Sequence, residues 1–533
     1  MKRLISLFLA FILIFSLCAC TSDTADDYTV SFSLDNVPVT VDPQLAESQS
    51  EIMVVTNAFE GLMRTEPDGT VTYGAAEKYT ISDNGRKYVF TLREGLKWSD
   101  ETELTAQDFV YGITRALLPE TDAPAADSLY CIKNAELIHN GTAEVSQLGV
   151  RHEGDRTVII ELDYTDPDFL RSLSLPVAMP CKEEFFLSTS GKYGLSKDDV
   201  ICNGPYYVRR WSQDTSSQSL RLTRSTTYVG EAKAMPAAVL LYFNMEAQNL
   251  VTNISEDQLD SGVLERIYYR SAVTKGLKIE ENEYLSWCLW LKPNGTLTSS
   301  DIIRDCLAQS IDKVTIARHL SDGFSVTDRI VLPSYIVGKH TYGSYTSSVS
   351  LSKDNVDKTK LDEVFKSELT TIGGTDSITL AFVSDSMVEQ TAKSLAQCWQ
   401  SYFGMKVTMK AMSENELYAS MGSSAFDAAI IPVGNMSHSA KAVLSAFSSD
   451  SPTNGCGYSS VEYDLILSSA KNKDEGVVAA YLLEAEKYLF EKSLLIPLVK
   501  ESRFIAYDED ISGIGYLSAY GVINFSVAVN ADK

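Results

Sequence analysis

A strand–helix–strand unit in the second half constrains this chain most. Ile378 to Val383 is a short apolar run with β-branched and aromatic residues. Met387 to Tyr402 has helical character, and Val407 to Met409 returns to a strand pattern. A crossover helix between two strands places those strands parallel in one sheet. The first half alternates in the same way. Ile81-Ser82-Asp83-Asn84-Gly85 ends in an Asn-Gly turn, and Tyr88 to Leu92 follows as a strand. Thr105 with Asp108 reads as a capping-box-like pair, opening a helix whose stripe is Phe109, Val110, Ile113, Ala116 and Leu117. Val158 to Leu162 and Leu285 to Leu291 read as strands. Asp301 to about Lys313 reads as a helix burying Ile302, Ile303, Cys306, Leu307 and Ile311, and Val477 to Lys492 as a long helix. Both halves are therefore α/β, with partly parallel sheets. No fixed internal period is present.

The N-terminus sets the compartment. Lys2 and Arg3 precede an apolar stretch, Leu4 to Leu17, that is too short to span a bilayer. Leu17-Cys18-Ala19-Cys20 then has the form of a lipobox, with Cys20 expected to carry lipid after cleavage. Cys18 departs from the usual small residue. Removing Lys2 and Arg3 takes the formal charge from −25 to −27, which argues against nucleic-acid binding. Seven cysteines remain, at 131, 181, 202, 288, 306, 398 and 456, widely spaced and odd in number. Most are expected as buried thiols, with a Cys181–Cys202 bridge left open. Roughly 510 mature residues exceed one core, so two or three domains are expected.

The order of motifs along nearly the whole mature chain resembles the oligopeptide- and dipeptide-binding proteins of ABC transporters. Val41-Asp42-Pro43, Phe59-Glu60-Gly61-Leu62, Asp68-Gly69 and Ala75-Ala76-Glu77-Lys78-Tyr79 occur in sequence. Tyr88 to Asp100, including Leu92-Arg93 and Lys97-Trp98-Ser99-Asp100, is the most specific stretch, with Glu101 replacing the family's Gly. Asn203-Gly204-Pro205-Tyr206 with Trp211, the Arg304 to Asp312 helix, Gly457-Tyr458, Glu462-Tyr463-Asp464, Glu484-Ala485-Glu486 and Ile496-Pro497-Leu498 complete it. Each alone is weak; the order carries the resemblance. Trp98 and Phe90 also read as core and Gly204-Pro205 as a turn on local grounds. Asp312 reads as closing a helix end.

The resemblance implies a two-lobed periplasmic-binding-protein-like α/β fold with an extra domain in the first lobe. Residues 1–19 would be signal peptide and 20–27 a lipid-anchored tether. Lobe I would comprise 28–72, 196–272 and 506–533, the extra domain 73–195 and lobe II 273–505. A peptide-like solute would lie in the cleft, held through its backbone, and pass to membrane permease subunits. The chain would be extracytoplasmic, monomeric, without cofactor or metal. By position, Phe59, Glu60, Trp287, Trp290, Asn435 and Tyr520 are the candidate solute contacts. The spacing of Trp287 and Trp290 lets at most one face the cleft unless a bulge intervenes. Relatives that take nickel complexes, haem or sugars, or that act as orphan peptide sensors, define the alternatives.

One departure bears on specificity. Relatives place an acid after a Trp, following a Phe-Asp or Tyr-Asp pair, to hold the peptide's α-amino group. Here Phe426-Asp427 leads through Ala428 to His438 with neither Trp nor acid; Asn435 or His438 can donate or accept there, but neither supplies a fixed negative charge. An ammonium buried there lacks its counter-charge. Enzyme readings fail on motif content. Ser468-Ser469-Ala470-Lys471 has no accompanying Lys-Thr-Gly or Ser-Asp-Asn, and the five histidines are scattered at 139, 152, 319, 340 and 438. No catalytic residue is expected.

Overall fold

The computed structural model describes residues 28–531, apart from 35, 213–217, 233, 354–356, 435–437, 452–453, 455–456 and 518–520. Its strands, in chain order, are β1 (Thr29–Leu34), β2 (Ala76–Ser82), β3 (Lys87–Leu92), β4 (Val150–Glu153), β5 (Thr157–Glu161), β6 (Tyr206–Ser212), β7 (Ser219–Arg224), β8 (Ala238–Phe243), β9 (Ser261–Leu264), β10 (Lys278–Leu291), β11 (Phe324–Val326), β12 (Ser377–Val383), β13 (Lys406–Met412), β14 (Ala428–Val433) and β15 (Leu495–Tyr507). Shorter two-stranded ribbons lie outside this set.

Eleven of these strands form one sheet, in the order β13-β12-β14-β10-β15-β9-β1-β8-β7-β6, with β11 also pairing β15. β12 is parallel to β13 and β14, as its crossover helix α1 (Ser386–Phe403) requires. β1 is parallel to β8 and β9. The remaining neighbours are antiparallel. A separate four-stranded antiparallel sheet, β2-β3-β5-β4, occupies the segment between β1 and β6. Its β2–β3 hairpin turns at Asp83–Gly85, where Asn84 adopts a left-handed conformation (φ 53°). The capping box of Thr105 and Asp108 opens the helix Ala106–Ala116.

Two large cores divide the chain. The first joins Val30, Phe32, Phe90, Trp98, Phe109 and Phe525, so the four-stranded sheet shares its core with β1 and β6–β8. The second contains Trp290, Leu380, Trp399, Leu482 and Leu498. We call the two bodies lobe I and lobe II. Among the described strands, β10 and β15 run the full distance between them, as an antiparallel ribbon from the Lys278–Tyr507 pair to the Trp290–Leu495 pair. Its register shifts twice, between Glu283 and Leu285 and between Trp287 and Cys288. Such bulges bend a strand without breaking its ladder.

Two sequence expectations change in detail. The helix expected from Asp301 to Lys313 is two helices, Asp301–Gln309 and Lys313–Ala317. Asp312 caps the second, accepting from the amides of Val314 at 2.9 Å and Thr315 at 3.2 Å. Ile302, expected inside, is 47% exposed, because that helix packs only its Ile303, Cys306 and Leu307 side inward. The six described cysteines, Cys181 and Cys202 among them, are free thiols, five of them buried; Cys20 and Cys456 lie outside the described residues.

Candidate functional site

β15 is apolar from Leu495 to Val499 and again from Phe504 to Ala506. Between these, Glu501 and Arg503 stand two residues apart, so both project from the same face. They sit on the ribbon where lobe I gives way to lobe II. The indole Nε1 of Trp287 donates to Glu501 Oε2 at 2.8 Å. Burial raises the Glu501 carboxyl, while that indole and Arg503 pull it back. The Arg503 guanidinium stacks on the ring of Tyr284, 3.7 Å from its centroid. Tyr284 is the residue passed over at the first bulge, and its carbonyl accepts from Tyr335 Oη at 3.0 Å.

Tyr335 in turn stacks on His438, with centroids 4.8 Å apart and planes 18° from parallel. His438 is 1% exposed and holds a left-handed backbone conformation (φ 46°). Burial, with Arg503 adding repulsion, pushes its imidazole down to about 4. His438 is therefore neutral at physiological pH. Its Nε2 is buried without a hydrogen-bond partner among the described residues, as is the hydroxyl of Tyr516. Both converge on Gly521: a Cβ there would lie 3.6 Å from each, and 3.2 Å from Gln49 Nε2. Gln49 donates to the Gly521 carbonyl at 3.1 Å. A cavity of about 20 Å³ lies here between Gln49, Met53, Arg503, Tyr516, Gly521 and Ile523.

The lobes also touch beside this region. Lys441 of lobe II pairs with Asp166, and Ser439 Oγ donates to Asp168 at 3.3 Å. Asp168 also accepts from the Gly338 amide, and Asn472 Oδ1 accepts from the Thr165 amide at 3.0 Å. Burial, then the nearby Asp166, raises the Asp168 carboxyl.

The sequence-derived candidates are not gathered in one place. Trp287 lies on the ribbon, 7% exposed, against Glu501. A bulge does break the register beside it, so alternation alone does not separate it from Trp290. Burial does: Trp290 is wholly enclosed in the lobe II core, beside Phe447 and Tyr458. Phe59 and Glu60 stand together elsewhere, 2% and 5% exposed. Asn203 clamps the backbone of Glu60, accepting from its amide at 3.1 Å and donating to its carbonyl at 2.8 Å. Glu60 accepts from Tyr228 Oη at 2.6 Å, and burial raises its carboxyl to about 7. Gly204 packs against the Ala58–Phe59 peptide so closely that a Cβ would meet it at 2.7 Å. Two motifs far apart in sequence thus form one buried joint. Asn435 and Tyr520 lie outside the described residues.

Arg503, Tyr284, Tyr335, Tyr516 and Gln49 were not singled out in the sequence. A signal existed for Arg503: charged residues with period two inside an otherwise apolar strand mark a polar face. A groove of about 630 Å³ between the helices Asp301–Gln309 and Lys358–Ile372 contains none of these residues. Among the described residues, no three His, Cys, Asp or Glu side chains converge as a metal site. No described helix is long and apolar enough to cross a membrane.

Comparison with known proteins supplies the family context. A family model, bacterial extracellular solute-binding proteins, family 5 Middle, matches residues 40–455. The oligopeptide-binding protein OppA of Bacillus subtilis is 23% identical over 531 residues, 96% of each chain. The probable deoxycholate-binding periplasmic protein YgiS of Escherichia coli is 25% identical over 478 residues, 86% of each chain. Among solved structures, Listeria monocytogenes OppA bound to peptide superposes with a TM-score of 0.77 at 20% identity, covering 95% of this chain and 99% of that one. The fold is therefore the two-lobed α/β fold that the sequence motifs implied.

Proposed function

We propose, from the premise that the chain belongs to the bacterial extracellular solute-binding proteins of family 5, that it captures a peptide-like solute between its lobes and presents it to the permease of an ABC importer. It is a binding protein and not an enzyme. The observation that carries this reading is the ribbon of β10 and β15. Two separately cored bodies are joined by bulged strands that carry Trp287, Glu501 and Arg503 on their way across. Solute seated there contacts both bodies at once, and the bond energy gained only on closure drives the hinge. Trp287 is the aromatic wall we favour; Asn435 and Tyr520 remain part of the proposed contact set. We further propose lipidation at Cys20, anchoring a monomer on the outer face of the cell membrane.

A second reading keeps the fold and changes the solute. No carboxylate occurs from Ala428 to His438, after Phe426-Asp427, to hold a peptide's ammonium, and a relative named as a probable deoxycholate-binding protein is of similar identity. A thermal-shift screen of the soluble chain, residues 21–533, against di- to octapeptide pools, deoxycholate, nickel chelates, haem and sugars separates the two. A ligand at a hundred times its Kd adds about 2.7 kcal/mol. Stabilisation by peptide pools supports the first reading. Silence from every pool, with a response to another class, overturns it.

A further inference from the structure

We infer that Arg503, Tyr516 and His438 form a subsite for a carboxylate group of the solute, built across the two lobes and the ribbon. The inference deepens the proposed function and rests on it for the location of the solute.

Three donors meet at this place. Among the described residues Arg503 forms no salt bridge: it lies flat on Tyr284 instead. A guanidinium so placed is stacked on one face, and its edge donors stay available. Tyr516 brings a buried hydroxyl, and His438 a buried Nε2, neither with a partner among the described residues. Leaving two buried polar atoms unbonded is costly, so their convergence on one point marks a place where a polar group belongs. That point is next to Gly521, where the missing side chain leaves room that any Cβ would take.

The charge pattern selects an anion. His438 is neutral, so it offers Nε2–H in one tautomer without adding repulsion or attraction of its own. Two carboxylates act electrostatically on Arg503 or Tyr516, and each already accepts a hydrogen bond: Glu501 from the Trp287 indole, and Glu280 from the Asn282 amide at 3.3 Å. An ammonium brought to the same place would face Arg503 across a low-dielectric gap. A carboxylate instead receives charge-assisted bonds from the guanidinium, with the phenol and imidazole satisfying its remaining lone pairs. The chain thus reads the opposite end of a zwitterionic solute from the one an acid would hold. Tyr516 and Gly521 belong to lobe I, His438 to lobe II and Arg503 to the ribbon, so the three donors converge only when the lobes are together.

The test is isothermal calorimetry on the full soluble chain with three probes: alanine-only peptides with free C-termini, the same peptides C-terminally amidated, and deoxycholate against its uncharged amide. Each is run on wild type, Arg503→Gln, Arg503→Lys and Tyr516→Phe, with unliganded melting temperatures as the folding control. A carboxylate subsite predicts at least tenfold weaker binding of whichever amidated probe has a binding acid form. It predicts a similar loss for that acid in Arg503→Gln, partial rescue in Arg503→Lys, and little further loss when amide and Arg503→Gln are combined. N-acetylation of the peptides should leave affinity nearly unchanged. Equal binding of acids and amides, or an Arg503→Gln variant that binds the acid as wild type does, overturns the subsite. If deoxycholate alone binds in an Arg503-dependent way, the subsite stands and the peptide reading falls.

Discussion

Removing the carboxylate of Glu486 should unfold lobe II selectively. Glu486 has no exposed surface and Arg329 is 3% exposed. The carboxylate accepts from Arg329 Nε at 3.1 Å and Nη2 at 2.7 Å, from the amides of Ile330 at 2.9 Å and Val331 at 3.1 Å, and from Tyr342 Oη at 2.9 Å. Arg329 is completed by Thr346, whose Oγ1 lies 3.0 Å from Nη1. Glu486→Ala leaves a guanidinium, two amides and a phenol without their acceptor in a dry core. Breaking one side of a buried pair costs about 3–5 kcal/mol. Partial hydration of the new void keeps the total near that range, below the sum over the lost bonds. Glu486→Gln keeps the volume but turns an amide NH₂ toward Arg329, and should cost about 2–4 kcal/mol. The assay is urea unfolding read by hydrogen-exchange mass spectrometry. Peptides covering Glu475–Glu491 and β12 report lobe II, and β1 and β8 serve as the internal control. A cost below about 1 kcal/mol, or equal loss in both lobes, would refute the reasoning.

Three further outcomes follow from the geometry. Gly204→Ala forces a Cβ onto backbone atoms of Ala58 and Phe59 at 2.7–2.8 Å; it should cost about 3 kcal/mol, read as a lower denaturation midpoint, whereas Pro205→Ala beside it should cost less. His438 titrates lower folded than unfolded, so its contribution is present above about 6.5 and is lost as pH falls toward about 4. Wild type should lose up to about 3 kcal/mol over that window relative to His438→Gln, measured as the pH dependence of the difference in unfolding free energy. Lys441→Ala leaves Asp166 without its ion-pair partner across the lobe contact, beside Asp168; small-angle scattering of the unliganded chain should give a larger radius of gyration, and solute affinity should fall by about tenfold.

Much of the architecture could be read from local pattern because local physics decides it. The hairpin at Asp83–Gly85 needs an Asn in a left-handed turn, and the helix after Thr105 needs its cap. The amphipathic period of α1 and the flanking strands fix a parallel unit. What stayed hidden were long-range reasons for short motifs. Val41-Asp42-Pro43 is present because Asp42 pairs, almost fully buried, with Arg115 seventy-three positions on. Asn203-Gly204 and Phe59-Glu60 are halves of one joint. Glu486 in Glu484-Ala485-Glu486 answers Arg329. Spacing within a motif says nothing about a partner a hundred residues away. The same limit explains Trp290: a tryptophan on a cleft-bound strand looks like a contact until the depth of the core on its other side is known.

The ribbon ties solute recognition to motion. A continuous, regular two-strand ladder of this length resists bending, and the two register shifts fall in its middle, between Glu283 and Leu285 and between Trp287 and Cys288. Those are also the positions next to Tyr284 and Trp287, which hold Arg503 and Glu501. A change in ribbon bend therefore moves the two charged side chains relative to both lobes. Among the described residues, the contacts between the lobes around Asp166 and Asp168 are ion pairs and hydrogen bonds, the kind of contact that a ligand touching both lobes can offset in shifting between open and closed arrangements. Moving such an equilibrium from one part in a hundred to ninety-nine takes about 5.5 kcal/mol of differential affinity. A group that touches Arg503 in either arrangement, but reaches His438 only on closure, supplies part of that difference through a bond that exists in one state alone. Recognition by the ribbon and closure by the lobes are then a single event, and a solute that satisfies only Arg503 should bind without closing the chain.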